Sequence, residues 1–181
     1  MGVSRTVIRE ALRQLETEGL VATIANKGPV VRQLTAAEAR DLYAIRGALL
    51  GLAARLFVQN ADDADVQSLR AALDETVACY EAGDPDRILD AKNRFYDVLV
   101  AGARSESLSA MLSTLHARIW RWRALGLSHP SRSPMRSRES IDGLRAMFTA
   151  ITIRDATKAE QCAREETDRA AAEVMHLLAQ S

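Results

Sequence analysis

The chain has 181 residues, and its 24 lysines and arginines are balanced by 24 aspartates and glutamates, so the formal net charge is zero. This balance excludes a uniformly basic nucleic-acid-binding protein, and any affinity for nucleic acid must come from a local cluster of charges. Two cysteines argue against a disulfide framework, and no apolar run suits a membrane span or a signal peptide, which favours a reducing, cytoplasmic setting without a membrane partner.

The first predicted element is a helix that begins after Ser4 and ends before Gly19. Ser4 is a favourable N-cap, the residues between the two contain no glycine or proline, and Gly19 suits a left-handed C-cap. At the helical period, an apolar stripe lies beside a cationic stripe. The apolar stripe consists of Ile8, Ala11, Leu12 and Leu15, and the cationic stripe consists of Arg5, Arg9 and Arg13. One face is therefore predicted to join a small core, and the other to contact phosphates and base edges.

A β-hairpin is predicted directly after this helix. Residues 20–25 and 29–32 flank the turn Asn26-Lys27-Gly28, which combines a glycine with a basic side chain. Residues 1–33 hold five basic and three acidic side chains, so a modest positive excess lies in this part of the chain. A helix followed by such a hairpin is the second half of a winged helix-turn-helix.

These two elements resemble the recognition helix and wing of the GntR family of bacterial transcription regulators. The resemblance is carried by Gly2-Val3-Ser4-Arg5-Thr6, Arg9-Glu10-Ala11-Leu12, Leu15, Gly19-Leu20 and Gly28, while Val7 stands where the family usually has proline. It implies double-stranded DNA as a partner. Arg5 and Arg9 would contact phosphates or guanine edges, Ser4 and Thr6 would fix the DNA backbone, and Lys27 with Gly28 would place the wing at the minor groove.

The same resemblance predicts that the DNA-binding segment is partial. Family members carry further helices ahead of this run, whereas only Met1 precedes it here. The helices that would cover Ile8, Leu12 and Leu15 are therefore expected to be missing. Because a lone helix and hairpin bury little apolar surface, we expect residues 1–33 to be weakly ordered unless they pack on another chain.

Residues 34–181 are predicted to form an all-α domain, an antiparallel bundle of about six helices. A capping box of Thr35 and Glu38 opens the first helix, which extends to about Gln59. Further helices are predicted at residues 63–82, around 88–99, around 108–122, near 138–153 and at 156–179. Residues 83–86 break the chain between the second and third helices of the bundle, and residues 128–134, with two prolines, are predicted to form a loop. The apolar seams are Leu42, Ile45, Leu49, Leu52 and Leu56 in the first helix, Ile88, Phe95 and Leu99 in the third, and Leu108, Met111, Leu115, Ile119 and Trp122 in the fourth. The apolar positions of the last helix are Ala159, Ala163, Ala170 and Leu177.

Three charged side chains fall on these seams: Arg46 in the first helix of the bundle, Lys92 in the third and Glu166 in the last. A charge that points into a bundle needs a partner, a ligand or water, so together they predict a polar cavity. Lys92 and Glu166 are equally compatible with side chains that run along apolar neighbours to the surface.

The helical layout resembles the FCD effector domain of the FadR-like branch of the GntR family. In that branch the long first helix carries an arginine, to which Arg46 corresponds. Members commonly hold a metal through an Asp-x-x-Phe-His run and one histidine in each of the last two helices. With Phe95 as the anchor of the run, Lys92 occupies the aspartate position and Tyr96 the histidine position. With residues 150–151 and 155–156 as anchors, Leu144 and Glu166 occupy the positions of the other two histidines.

None of these four residues matches the ligand of the family, and this departure predicts a domain without a metal cofactor. Lysine ammonium has no lone pair for a cation, and leucine has no donor atom. We hypothesise that Lys92 replaces the charge of the metal and pairs with Glu166, which leaves Arg46 and Tyr96 to hold a small organic-acid-like effector. If the register slips, Asp90 or Asn93 becomes the inward polar residue instead.

The remaining polar clusters have simpler explanations. The basic and aromatic residues 118–123 point around the whole helix, so packing explains them better than nucleic-acid stacking, although Arg118 is within reach of the predicted cavity. The three histidines are dispersed and match none of the ligand positions.

The predicted function is that of a ligand-gated transcription repressor or activator that binds a palindromic operator as a homodimer. The alternative is an isolated metabolite-binding and dimerisation module, without DNA binding of its own. An enzyme is the least favoured class, because no nucleophile, metal cage or phosphate loop is recognisable.

Overall fold

The structure is a computed structural model that describes residues 4–17, 19–32 and 35–180. Within these ranges it has seven helices and one two-stranded sheet: α1 (Arg5–Thr17), β1 (Val21–Ile24), β2 (Gly28–Val31), α2 (Ala36–Asn60), α3 (Asp63–Ala82), α4 (Pro85–Gly102), α5 (Glu106–Ser128), α6 (Pro134–Thr152) and α7 (Ala156–Leu178). The predicted helix, hairpin and six-helix bundle are confirmed. Gly2 and Val3 of the sequence motif, and the predicted domain boundary between residues 33 and 34, lie outside the described residues.

Helix α1 and the hairpin have the caps and turns that the sequence predicts. The Oγ of Ser4 accepts a hydrogen bond from the backbone N–H of Thr6 at 3.3 Å. At the other end, Gly19 has a φ of +73°, and the next N–H donates to the carbonyl of Leu15 at 2.9 Å. Strands β1 and β2 are antiparallel, and a turn with Asn26 at φ +65° joins them. Left-handed backbone at such positions favours asparagine and glycine.

The apolar stripe of α1 is covered only in part by the residues that the structure describes. No residue of this helix is buried, and the side chains of Val7 and Ile8 are 57% and 49% exposed. Leu12 and Leu15 are half-buried, and α1 contacts β1 of the hairpin. The stripe is therefore an apolar surface of this segment.

The bundle is organised by α2 and α7, which pack along each other. Small residues of α2 make this close approach possible, because a Cβ added to Gly51 would lie 3.0 Å from the side chain of Arg164 on α7. Helix α3 packs on α4, and α6 packs on α7. The main core is centred on Phe57, Phe95 and Met147, each with no exposed surface. No helix in the described ranges is long and apolar enough to cross a lipid bilayer.

The seam predicted for α2 is wrong in part. Ile45 and Leu52 are 50% and 40% exposed, and on α5 the predicted seam residue Met111 is 56% exposed. The buried face of α2 instead includes small residues such as Gly47 and Ala54. Helix packing needs close approach as well as apolar area. Larger side chains on this face would keep α2 and α7 apart.

Helix α6 begins four positions before the predicted start at Arg138. The sequence interpretation placed residues 128–134 in a loop because of Pro130 and Pro134. In the structure, the Oγ of Ser133 accepts a hydrogen bond from the N–H of Met135, and Pro134 occupies the first turn. Proline is favourable there because its missing N–H would have no helical partner.

Gly102→Ala is expected to destabilise the bundle, although alanine is the better helix former. A Cβ at position 102 would overlap the fully buried ring of Phe57. Overpacking of this kind costs about 1–3 kcal/mol, measurable as a lower midpoint of urea unfolding. Ala101→Ser, at the exposed neighbouring position, is the control and should change stability by at most about 0.5 kcal/mol. Equal midpoints for the two variants would contradict the predicted overlap.

Candidate functional site

A partly open cavity of roughly 50 Å³ lies between the helices of the bundle, with room for several water-sized groups. All six helices of the bundle contribute to its lining. The four residues predicted from the sequence, Arg46, Lys92, Tyr96 and Glu166, are all among them. The structure therefore brings these residues together around one space.

The carboxylate of Glu166 is the centre of a buried hydrogen-bond network. Its Oε1 accepts hydrogen bonds from the Nζ of Lys92 at 2.9 Å, from the Oγ of Ser140 at 2.6 Å and from Arg136 at 3.3 Å. The Oγ of Ser140 in turn accepts hydrogen bonds from Lys92 and from the hydroxyl of Tyr80, each at 2.9 Å. The predicted ion pair between Lys92 and Glu166 is present, and neither side chain runs out to the surface, since they are 11% and 1% exposed.

Both members of this ion pair are held in their charged forms. Burial by itself raises the pKa of Glu166, but Lys92, Arg136 and the hydrogen bond from Ser140 outweigh it and lower that pKa below its ordinary value. Burial likewise opposes the charge of Lys92, yet the nearby Tyr80 and Glu166 oxygens raise its pKa. Opposite charges at hydrogen-bond distance favour ionisation of both groups.

Arg46 and Arg123 are two further cations of the cavity, 7% and 9% exposed. The guanidinium of Arg46 lies over the ring of Tyr96, 4.9 Å from its centroid. Arg123 contacts the ring of His116, with its Nη1 3.0 Å from Nδ1. Burial, followed by the charge of Arg46, lowers the pKa of Arg123 to about 10. The two guanidinium groups are therefore close enough to repel each other.

His116 is held neutral by the same surroundings. Burial, with the added effect of Arg123 and Arg46, lowers its pKa to about 4. A neutral imidazole can accept a hydrogen bond from the Arg123 guanidinium, whereas an imidazolium would repel it. This histidine therefore supports the position of Arg123 at the cavity.

Several cavity residues were missed by the sequence analysis. Arg136 lies in the part of α6 that the prolines made look like loop, and Arg123 was explained as packing within residues 118–123. Arg118 does not line the cavity and lies instead near Gly19. The helical spacing of Arg136 and Ser140 was the available signal, since positions four apart share one helix face.

The register anchored on Phe95 is supported by the neighbouring residues. Phe95 is fully buried and Lys92 faces the cavity, whereas Asp90 is exposed. Asn93 lines a separate groove between α2, α4 and α5, which Arg46 and Tyr96 also border.

The four positions that correspond to metal ligands do not fit a divalent metal. Lys92, Tyr96 and Glu166 meet at the cavity, but Leu144 is fully buried in the apolar core. The single carboxylate among them already accepts hydrogen bonds from two cations. In the described ranges, no group of three His, Cys, Asp or Glu side chains could hold a metal ion.

The residues predicted to contact DNA lie on the surface of the helix and hairpin segment. Ser4, Arg5, Thr6 and Arg9 are exposed at the beginning of α1, Lys27 is exposed at the hairpin turn, and Gly28 is half-buried with a φ of +78°. Arg5 and Arg9 share one helix face and form no ion pair with any residue in the described ranges. A cationic surface of this kind is free to bind an anionic partner.

Two family profiles match the chain. The FCD domain matches residues 41–169, and the bacterial regulatory proteins of the gntR family match residues 1–31. The chain is 30% identical over 161 residues to the uncharacterised HTH-type transcriptional regulator YdhC of Bacillus subtilis, a match that covers 88% of this chain and 70% of that protein. It is 37% identical over 132 residues to the Nta operon transcriptional regulator of Aminobacter aminovorans, which covers 70% of this chain and 62% of that protein.

A solved structure with the same fold is that of McbR/YncC from E. coli. The match has a TM-score of 0.85 at 20% sequence identity, and it covers 100% of this chain and 88% of that chain. At this level of identity the likeness establishes the fold.

Glu166→Gln is expected to destabilise the protein by about 3–5 kcal/mol, because Lys92 and Arg136 would lose the only carboxylate that the described residues place against both of them. Urea unfolding at neutral pH measures the change. The control is Glu165→Gln on the same helix, where the side chain is 45% exposed and a change of at most about 1 kcal/mol is expected. Similar losses in the two variants would contradict a compensating role for the buried carboxylate.

His116→Gln is expected to reduce the acid sensitivity of the fold. The ordinary pKa of histidine is 6.5, and in the folded protein that of His116 is about 4. Between these values the unfolded chain binds a proton that the folded protein does not, so stability falls as the pH is lowered through this window. Urea midpoints at about pH 7 and about pH 4.5 should therefore differ less in the variant than in the unsubstituted protein. His176→Gln, at an exposed position, should leave the difference unchanged.

Proposed function

Because the chain belongs to the GntR family of bacterial transcription regulators, in the branch with an FCD domain, we propose that it is a ligand-responsive DNA-binding regulator. Residues 1–33 would contact DNA, and residues 34–181 would bind a small anionic metabolite and form a homodimer. The observation that carries this proposal is the cavity in which several buried cations face a single fully buried carboxylate.

An anionic effector suits the chemistry of the cavity. Arg46 and Tyr96 would hold the ligand, as the sequence analysis expects, and Lys92 would contribute positive charge while it pairs with Glu166. Charge-assisted hydrogen bonds from guanidinium and ammonium groups to a carboxylate are stronger than those between neutral groups. The buried environment strengthens them further, because little solvent screens the charges.

The helix and hairpin segment would contact the operator. In a symmetric dimer, two α1 helices would enter successive major grooves and read the half-sites of a palindrome. Arg5 and Arg9 would contact phosphates or guanine edges, and Ser4 and Thr6 would fix the DNA backbone. Lys27 and Gly28 would place the turn at the minor groove. Effector and DNA would then alter each other's affinity by one reciprocal factor.

A second candidate is an isolated effector-binding and dimerisation module. It is favoured by the apolar surface at the beginning of α1, where Ile8 of the apolar stripe and the neighbouring Val7 are half-exposed among the described residues. Such a chain would bind its ligand without binding DNA on its own. DNA-binding measurements on the full chain separate the two candidates.

A pair of arginine variants tests the proposed DNA contacts. Duplexes selected by the full chain from a randomised pool should be palindromic, and their affinity should fall as salt is raised. Arg5→Ala and Arg9→Ala should each weaken binding. Loss of a contact with a guanine edge should cost about 1–3 kcal/mol at that base position, whereas loss of a phosphate contact should weaken binding to all sequences and make its salt dependence shallower. The control is Arg87→Ala, which removes an exposed charge from the beginning of α4.

Fluorescence anisotropy across a salt series measures all three variants. Equal affinities for the arginine variants and the control would contradict the assigned contacts. Failure to select any duplex, together with retained effector binding, would support the isolated module instead.

A further inference from the structure

The balance of charges in the cavity indicates how much negative charge its ligand carries. This inference rests on the proposed function. Four of the lining cations are almost completely buried: the exposed fractions are 7% for Arg46, 9% for Arg123, 6% for Arg136 and 11% for the side chain of Lys92. The fully buried carboxylate that faces them is that of Glu166, which is 1% exposed. These four cations and the Glu166 carboxylate form the inner shell of the cavity, in which four positive charges face one negative charge.

The outer lining of the cavity changes this balance little. Arg132 and Glu173 are both half-buried, and their opposite charges offset each other. Arg132 donates to the Oγ of Ser137 at 2.7 Å, while a carboxylate oxygen of Glu173 accepts the backbone N–H of Ser133 at 3.2 Å. The excess positive charge therefore belongs to the inner shell.

Two of the inner cations have no carboxylate partner in the described residues. Arg46 lies over the Tyr96 ring, and Arg123 contacts the neutral His116. A ring face and an imidazole supply no formal negative charge. Since buried charges require a compensating partner, these guanidinium groups are the strongest sites for an external anion.

Arg136 provides an independent indication of a ligand. Its Nη2 donates to Glu166 at 3.3 Å, whereas its Nη1 is buried and has no hydrogen-bond partner among the described residues. The Nε of Arg132 is also buried without such a partner. Buried donors of this kind are rare unless a bound molecule or water satisfies them. Both residues line the same cavity as Arg46 and Arg123.

From this arrangement we propose that the cavity binds a small dianion directly, without a divalent metal. A ligand with two negative charges leaves the inner shell closer to neutrality than a monoanion does. The ligand class is a small molecule with two carboxylates, or one with a doubly ionised phosphoryl group. Lys92 supplies positive charge at one of the positions where the family resemblance implies a metal ligand, and Glu166 holds it there.

Matched ligands of equal size test the charge preference. Isothermal titration calorimetry on the full chain, with a chelator present, compares succinate with succinamate, in which one carboxylate is replaced by a neutral amide. Malonate and methyl phosphate extend the comparison to a shorter dicarboxylate and to a phosphoryl dianion. We expect at least one dianion to bind, and a dicarboxylate that binds should exceed its monoamide by about tenfold or more. In separate titrations without the chelator, addition of Mn²⁺ or Zn²⁺ should leave the affinity unchanged.

The outcomes separate this inference from the proposed function. Tight binding of methyl phosphate alone supports the dianion class and identifies a phosphoryl group as its source. Equal affinity for succinate and succinamate, or binding only after metal is added, overturns the inference and leaves an anion sensor in place. No binding by any of these anions, and no effect of them on DNA affinity, overturns both.

Charge-removal variants supply a second readout. Arg123→Gln should lower the ratio of dianion to monoamide affinity toward one, because it removes a cation that faces the ligand. Arg46→Gln should do the same if the Arg123 variant does not fold, which thermal melting checks. Arg138→Gln, at an exposed position of α6, removes an equal charge and should leave the ratio unchanged. An unchanged ratio in folded variants of both cavity arginines overturns the inference.

Discussion

The buried carboxylate of Glu166 is the constraint on which the arrangement of the bundle depends. Its Oε1 connects α7 to Lys92 on α4 and to Ser140 and Arg136 on α6. A carboxylate with 1% exposure is tolerated only when such partners compensate its lost hydration. The same contacts hold two cations, Lys92 and Arg136, near each other. The stability of the bundle and the charge of the cavity are therefore linked through one side chain.

Close packing of α2 on α7 brings Arg46 to the same space. Gly47 and Gly51 face Thr167 and Arg164, so two helix backbones approach where larger residues would separate them. Helix α5 then closes the cavity with Arg123, and Arg118 of the same helix lies near Gly19 at the end of the α1 segment. Helix α5 thus lines the cavity and also lies near the segment proposed to bind DNA.

Local rules predicted most of the fold because capping and turn residues act over a few positions. Thr35 with Glu38 forms the expected capping box, and Gly19 has the expected left-handed backbone. The buried faces of the helices were harder to predict. Periodicity identifies stripes of large apolar residues, whereas the contact with α7 requires small residues such as Gly51. Of the cavity residues, Arg46, Lys92 and Glu166 interrupt apolar patterns and were recognisable. Arg123 and Arg136 do not, because their environments are created by helices distant in sequence.

The cavity has positive charge of its own at a position where the family resemblance implies a metal ligand. A metal ion needs several lone-pair donors at fixed geometry, and Lys92 and Leu144 provide none. An ammonium group needs only acceptors, which the Glu166 carboxylate and Ser140 hydroxyl supply at 2.9 Å each. The positive charge then belongs to the chain itself and does not depend on metal availability. Its retention depends instead on the buried carboxylate, so loss of Glu166 would leave mutually repelling cations in the centre of the bundle.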